Sequence, residues 1–222
     1  LSLSLDGAVA GTHDSFRGVP GVFDDTLRAA GWVKDAGFRL QVNTTVASNN
    51  VDELPDVLRT VIDLGASLWS VFFLVPTGRG ASVEPARVSE YRGMLEGFRM
   101  VSHSTGIECK ATCAPQYYRM LLEEEGDSPT RGCLAGSGFG FVSATGRVQP
   151  CGFLQVDCGN VREASFSNIW SGSAFLDMIR DESLLKGACG ACGFKGACGG
   201  CRARAYEVFG DALEADPVCW YP

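Results

Sequence analysis

Four cysteines crowd into thirteen residues near the C-terminus, as Cys189-x2-Cys192-x5-Cys198-x2-Cys201. Thiols separated by so few backbone bonds converge on one locus, so this segment folds around something its sulfurs share. A disulfide framework belongs to oxidising compartments and to small chains with weak cores, whereas this chain has 222 residues and shows no signal-peptide pattern ahead of its first strand. A zinc ribbon sets its two knuckles about 15–20 residues apart, and the gap here is five. A cubane iron–sulfur cluster is held by thiolates on compact loops, where Cys-x2-Cys steps are usual; the spacing favours this reading. A thioredoxin-type redox pair at Cys189 and Cys192 lacks the βαβ unit it needs. Gly190, Gly193 and Gly199 directly follow cysteines and Gly200 directly precedes Cys201, which lets the backbone turn tightly and aim N–H groups at sulfur.

Six further cysteines stand at 109, 113, 133, 151, 158 and 219. The remaining composition is that of a globular protein, with 45% hydrophobic and 20% charged residues. A net charge of −7 argues against an electrostatic nucleic-acid partner. No apolar run approaches the ~18 residues of a membrane span.

The N-terminal half alternates strand-like and helix-like segments. Leu1–Leu5, Phe38–Val46, Leu68–Val75 and Ile107–Thr112 read as strands, and Val22–Ala36, Val51–Leu64 and Pro85–His103 as helices. Such alternation makes βαβ units on a parallel sheet, and four strands with three crossovers make half a barrel or one wing of an open sheet. Residues 6–18 read as a loop. After Cys113 the pattern changes to a helix over Gln116–Glu124, a hairpin turning at Ala144-Thr145-Gly146, one helix over Asn168–Arg180 and a last helix over Arg202–Phe209. The expected organisation is 1–113, a connecting segment 114–132, and a cysteine-rich domain 133–222. Of the two histidines, His103 reads as structural and His13 as a loop hydrogen-bonder.

Cys133-x12-Gly146-x4-Cys151, the four-cysteine run and a final Cys219 together resemble the SPASM extension of radical S-adenosylmethionine (SAM) enzymes. That family's usual last step is Cys-x3-Cys, and here it is Cys-x2-Cys. In the first half, Ser4-Leu5-Asp6-Gly7, His13-Asp14-x2-Arg17-Gly18 and the strand around Asn43 resemble the family's SAM-contacting segments. Gly132-Cys133-Leu134-Ala135-Gly136, Val148-Gln149-Pro150-Cys151-Gly152 and Cys113-Ala114-Pro115-Gln116-Tyr117-Tyr118-Arg119 are similar to the porphyrin-modifying members, the haem-forming ones above all.

The resemblance implies an α/β fold: the C-terminal half of a partial (β/α)6 barrel, then a small SPASM-like domain with a β-hairpin and short helices. It implies auxiliary [4Fe–4S] clusters on Cys133, Cys151, Cys189, Cys192, Cys198, Cys201 and Cys219. Cys189, Cys192, Cys198 and Cys219 form one set; Cys133, Cys151 and Cys201 belong to the other, which Cys158, Cys113 or a non-protein ligand completes. It implies SAM contacts at Ser4, Arg17 and Asn43. The family's Cys-x3-Cys-x2-Cys loop for the SAM-cleaving cluster is absent, since Cys109-x3-Cys113 is followed by Gln116. The chain therefore reads as part of a longer enzyme, inactive alone, with that cluster expected N-terminally.

For the intact enzyme the resemblance implies SAM cleavage to a 5′-deoxyadenosyl radical, hydrogen abstraction from propionates of iron-coproporphyrin III, and oxidative decarboxylation to vinyl groups. An auxiliary cluster suits the electron released. Arginines suit propionates, which makes Arg79, Arg119, Arg202 and Arg204 candidates. The expected partners are a porphyrin and an electron donor such as a ferredoxin or flavodoxin, in the cytoplasm. Related haem d1 or sirohaem-branch chemistry, a peptide-modifying maturase, and a non-catalytic metal module are the alternatives.

Overall fold

A computed structural model describes residues 1–126 and 131–221; the side chains of Ser102, His103 and Glu125 also lie outside the described set. The role expected of His103 and part of the connecting segment therefore fall outside it. The chain forms two compact units, residues 1–74 with 82–112, and residues 75–81 with 113–222.

The first unit is a four-stranded parallel sheet in the order β1 (Ser2–Ser4), β2 (Gln41–Val46), β3 (Leu68–Phe73), β4 (Glu108–Thr112). Sequential order with helical crossovers is the βαβ arrangement. The period-2 alternation of β2 explains its two faces: Val42, Thr44 and Val46 are buried, while Gln41, Asn43 and Thr45 are half-buried. The register puts Ser4, Asn43, Ser70 and Lys110 in one row across the sheet, a polar row on one face. Trp69, Val71 and Phe73 of β3 and residues of α3 (Leu54–Asp63) and α4 (Val88–Ser104) line one apolar cavity. Pro55 sits in the first turn of α3, where its missing N–H costs least, and Val57 and Val61 are fully buried.

Two expectations change here. The segment expected as a loop over 6–18 contains α1 (Ala10–Arg17), ended by Gly18 in the left-handed region, with α2 (Val22–Asp35) following. Asp14 joins the two helices, accepting the N–H groups of Gly21 (2.6 Å) and Phe23 (2.8 Å) at the start of α2. The helix expected from Pro85 begins at Val88, because Arg87 takes the cap and its N–H donates to Glu90.

The second unit holds α5 (Pro115–Glu125), the antiparallel pair β5 (Phe141–Val142) and β6 (Val148–Gln149), then α6 (Phe166–Gly172), α7 (Ala174–Arg180), α8 (Gly187–Ala191) and α9 (Arg202–Phe209). The helix expected over 168–180 is two, broken at Ser173, which is extended at φ −81° and ψ 116°. Gly146 lies in the hairpin turn at φ +88°, and a Cβ there would stand 2.4 Å from Asn160 Oδ1; the glycine of the Cys-x12-Gly-x4-Cys spacing is thus required by a close approach. Val75, Leu154, Leu176, Ile179, Ala203 and Ala212 form the core, with Cys201 inside it.

Candidate iron–sulfur centre

Cys189 lies on α8, Cys192 caps its end, and Cys198 and Cys219 come from the following loop and the C-terminal segment. All four line one pocket. Each thiol faces N–H donors. Asp216 N and Arg202 Nη2 reach Cys189 Sγ at 3.4 and 3.6 Å, and Phe194 N and Arg119 Nη1 reach Cys192 Sγ at 3.3 and 3.5 Å. Cys198 faces the N–H of Gly200 and Cys219 that of Tyr221. Thiols ringing a space and receiving N–H groups fit a multi-iron cluster, whose sulfurs accept such bonds. Gly200, at φ +62°, keeps this space open: a Cβ would lie 2.9 Å from Cys189 Sγ and 2.4 Å from Arg202 Nη2. Gly193 has no such neighbour and no positive φ, so its position beside a cysteine carries no comparable demand.

A second group gathers Cys113, Cys133, Cys151 and Cys201. The Cys113 thiol hydrogen-bonds to Cys201, and this bond is the largest reason that Cys201 is held down at about 7 and Cys113 is raised well above its ordinary value. Burial pushes Cys151 up to about 12 and also raises Cys133; both are pushed further by the charge of Cys201. Backbone N–H groups of Ala135 and Arg202 face Cys133, and Leu154 N reaches Cys151 Sγ at 3.3 Å. Cys113 is the one non-glycine residue with positive φ among those described, at +59°, a costly conformation that functional sites hold in place. Cys158 instead directs its thiol at Val156 O (3.7 Å) and neighbours Ser173, Asp157 and Arg180. Cys109, in β4, is raised to about 11 by burial. All ten cysteines are free thiols.

Asp216 touches both groups. Its carboxylate accepts Cys201 N at 2.8 Å, Gln116 Nε2 at 2.9 Å and Arg204 Nη1 at 3.1 Å, while its own N–H faces Cys189. Arg204 also donates to Cys113 O at 2.7 Å. This corrects the expectation that Arg202 and Arg204 meet substrate carboxylates: both are buried, at 3% and 2% exposure, and saturated by protein acceptors, Arg202 by the carbonyls of Ala212 and Glu214. Arg119 is likewise engaged, with Glu123 and Cys192. Arg79 is exposed, in the 3₁₀ segment Gly78–Ser82. Sequence reasoning missed Asp216 and Gln116; adjacency to Cys219 and Cys113 was their only signal.

In the first unit, Ser4 and Asn43 are register partners at the polar row, and Asn43 donates to Ser2 Oγ at 2.8 Å. Arg17 pairs with the fully buried Asp6, whose other oxygen accepts Thr45 N at 2.7 Å. Burial raises Asp6 and lowers His13. His13 accepts Asp6 N at Nδ1 (2.9 Å), which puts its proton on Nε2. Arg17 Nε, His13 Nε2 and Asp6 Oδ2 are buried with no hydrogen-bond partner; the first two are N–H donors of the kind that suit a carboxylate.

Against known proteins, the iron–sulfur cluster-binding domain SPASM matches residues 133–193. The AdoMet-dependent heme synthase of Nitratidesulfovibrio vulgaris is 44% identical over 235 residues, covering 99% of this chain and 64% of that protein. That of Methanosarcina barkeri is 44% identical over 234 residues, covering 100% of this chain and 67% of that protein. The chain belongs to the radical SAM enzymes that carry a SPASM domain. It groups there with the haem synthases, and it spans about two thirds of the length of these relatives. The solved structure of Streptococcus suis SuiB bound to S-adenosylmethionine superposes with a TM-score of 0.74 at 17% identity, over 99% of this chain and 53% of that one. This likeness establishes the fold: a partial radical SAM barrel with its SPASM region. Among the described residues no helix is long and apolar enough to cross a membrane.

Proposed function

We propose that the protein carrying this chain oxidatively decarboxylates propionate side chains of iron-coproporphyrin III to vinyl groups, forming haem b. The observation that carries this reading is the 44% identity to haem synthases across 99–100% of the chain. Residues 1–113 would supply the barrel part, 114–132 the connection and 133–222 the cluster domain. Ser4, Asn43 and Arg17 contact SAM, Arg17 offering its unpartnered Nε to the methionine carboxylate. Arg79, exposed in the segment Gly78–Ser82, is the remaining candidate for a propionate contact in this reading.

Two [4Fe–4S] clusters belong to this reading, one on Cys189, Cys192, Cys198 and Cys219, the other on Cys133, Cys151 and Cys201 with Cys113 as its fourth ligand. The hydrogen bond between Cys113 and Cys201 supports the choice of Cys113 over Cys158. When bound, such clusters supply one-electron transfer; the chain positions them, excludes water and directs N–H groups at sulfur. A ferredoxin or flavodoxin serves as donor, in the cytoplasm, where ten free thiols suit a reducing setting. The test is anaerobic incubation of the full-length protein with iron-coproporphyrin III, SAM and reductant, followed by mass spectrometry. Loss of two carboxyl groups as carbon dioxide is expected. An unchanged porphyrin from cluster-loaded protein refutes the proposal.

A further inference from the structure

Arg119 and Glu123 sit one turn apart on α5; Glu123 is exposed, but Arg119 is not a solvated side chain. The Arg119 side chain is only 12% exposed. Its guanidinium lies 4.3 Å from the ring centre of Phe194 and 3.2 Å from that of Tyr221. Both aromatic walls come two residues after a cysteine of the first quartet, Cys192 and Cys219. Nη1 donates to Cys192 Sγ at 3.5 Å, and Nε and Nη2 donate to Glu123 Oε1 at 3.1 and 3.0 Å. Tyr221 closes the assembly by donating its hydroxyl to Glu123 Oε2 at 3.0 Å. Arg119, Tyr221 and the four cysteines line the same cavity.

A guanidinium stripped of water between two rings is strongly held, and its charge acts on the cavity through a medium less polarisable than water. A cluster gaining an electron becomes more negative, so a fixed cation and an N–H bond at one of its thiolates favour the reduced form. Glu123 opposes that field. We propose that Arg119 is a positioning residue that sets the reduction potential of the cluster on Cys189, Cys192, Cys198 and Cys219, with Glu123 as counterweight and Tyr221 as the latch that fixes their geometry. The inference rests on the cluster assignment made under Proposed function and goes beyond it in giving the two charges opposite effects.

The test uses full-length holoprotein, with iron and sulfide analysis and potentiometric titration followed by electron paramagnetic resonance. The signal that Cys192→Ala removes identifies this cluster. Arg119→Gln is expected to lower the potential by about a tenfold change in the reduction equilibrium, ~59 mV for one electron. Glu123→Gln is expected to raise it, the double variant to return near the starting value, and Arg119→Lys to stay closer to it than Arg119→Gln. Unchanged potentials in cluster-loaded single variants, or shifts of the same sign, overturn the proposal. So does loss of iron in both Arg119 variants, which would assign the side chain to folding alone. If the unmodified protein binds no iron at Cys189, Cys192, Cys198 and Cys219, it is the cluster assignment that fails.

Discussion

Gly193 directly follows Cys192 and Gly200 stands two residues after Cys198, yet only Gly200 is held by its surroundings. At Gly200 φ is +62°, and a Cβ would meet Arg202 Nη2 at 2.4 Å, Asp216 Cβ at 2.9 Å and Cys189 Sγ at 2.9 Å. For an L-residue the left-handed conformation costs about 1–2 kcal/mol. Overpacking a filled interior costs a further ~1–3 kcal/mol. The flexible end of Arg202 can yield, but it is fixed by the carbonyls of Ala212 and Glu214, so the thiol and the Asp216 backbone must move as well. After the smaller entropy gain of any Gly→Ala change, about 0.4–1 kcal/mol, a net loss of about 1–4.6 kcal/mol remains, which for a chain of this size lowers the apparent melting temperature by about 2–18 °C. Gly193→Ala meets nothing within 4 Å and should leave melting and iron content near those of the unmodified protein. The assay is thermal melting of anaerobically purified protein with parallel iron and sulfide analysis. Gly200→Ala should melt lower and lose iron from the quartet containing Cys189. Equal behaviour of the two variants would refute the claim that the cavity wall at Gly200 is already at contact distance.

Cys113→Ser should remove or destabilise one of two clusters, lowering iron toward half, while Cys158→Ser should retain full iron; the reverse pattern in iron analysis would move the fourth ligand to Cys158. Burial holds His13 below its ordinary value of 6.5, so the neutral ring belongs to the folded state and its contribution is fully present above pH 6.5. That contribution is lost as pH falls below this value toward the folded-state titration. Asp6, raised by burial, has the opposite sign: its contribution is fully present below 3.8 and is lost as pH rises through its raised folded value. Replacing the ring by His13→Asn, which keeps an acceptor near Asp6 N, should flatten the fall in denaturation midpoint between pH 6.5 and 5. A parallel fall in both proteins would show that another group governs that window.

The sheet was legible because its signals are local. Period-2 alternation in Gln41–Val46 and the continuous apolar run at Leu68–Phe73 each follow from which face a strand buries. Boundaries set by side-chain capping were not: Arg87 with Glu90 moves the start of α4 past Pro85, and α1 forms where Asp6-Gly7 reads as a plain break. The same division runs through the cluster region. Cys189, Cys192 and Cys198 announce themselves by spacing, since ten residues of chain bring them to one cavity. Cys113 and Cys201 are 88 residues apart, and nothing in the intervening spacing pairs them; their hydrogen bond arises because Arg204 takes the Cys113 carbonyl while Asp216 holds Arg204 and the Cys201 N–H. Arg202 and Arg204 look in sequence like a basic pair available to an anionic substrate. Burial inverts that reading, because a buried guanidinium must spend its donors on protein acceptors. Asp216 is that acceptor for Arg204, and by facing Cys189 with its own N–H it joins the two quartets through one residue. Electrostatic change at either quartet should therefore be felt at the other, a coupling that arises from the convergence of three distant segments and has no spacing of its own to read.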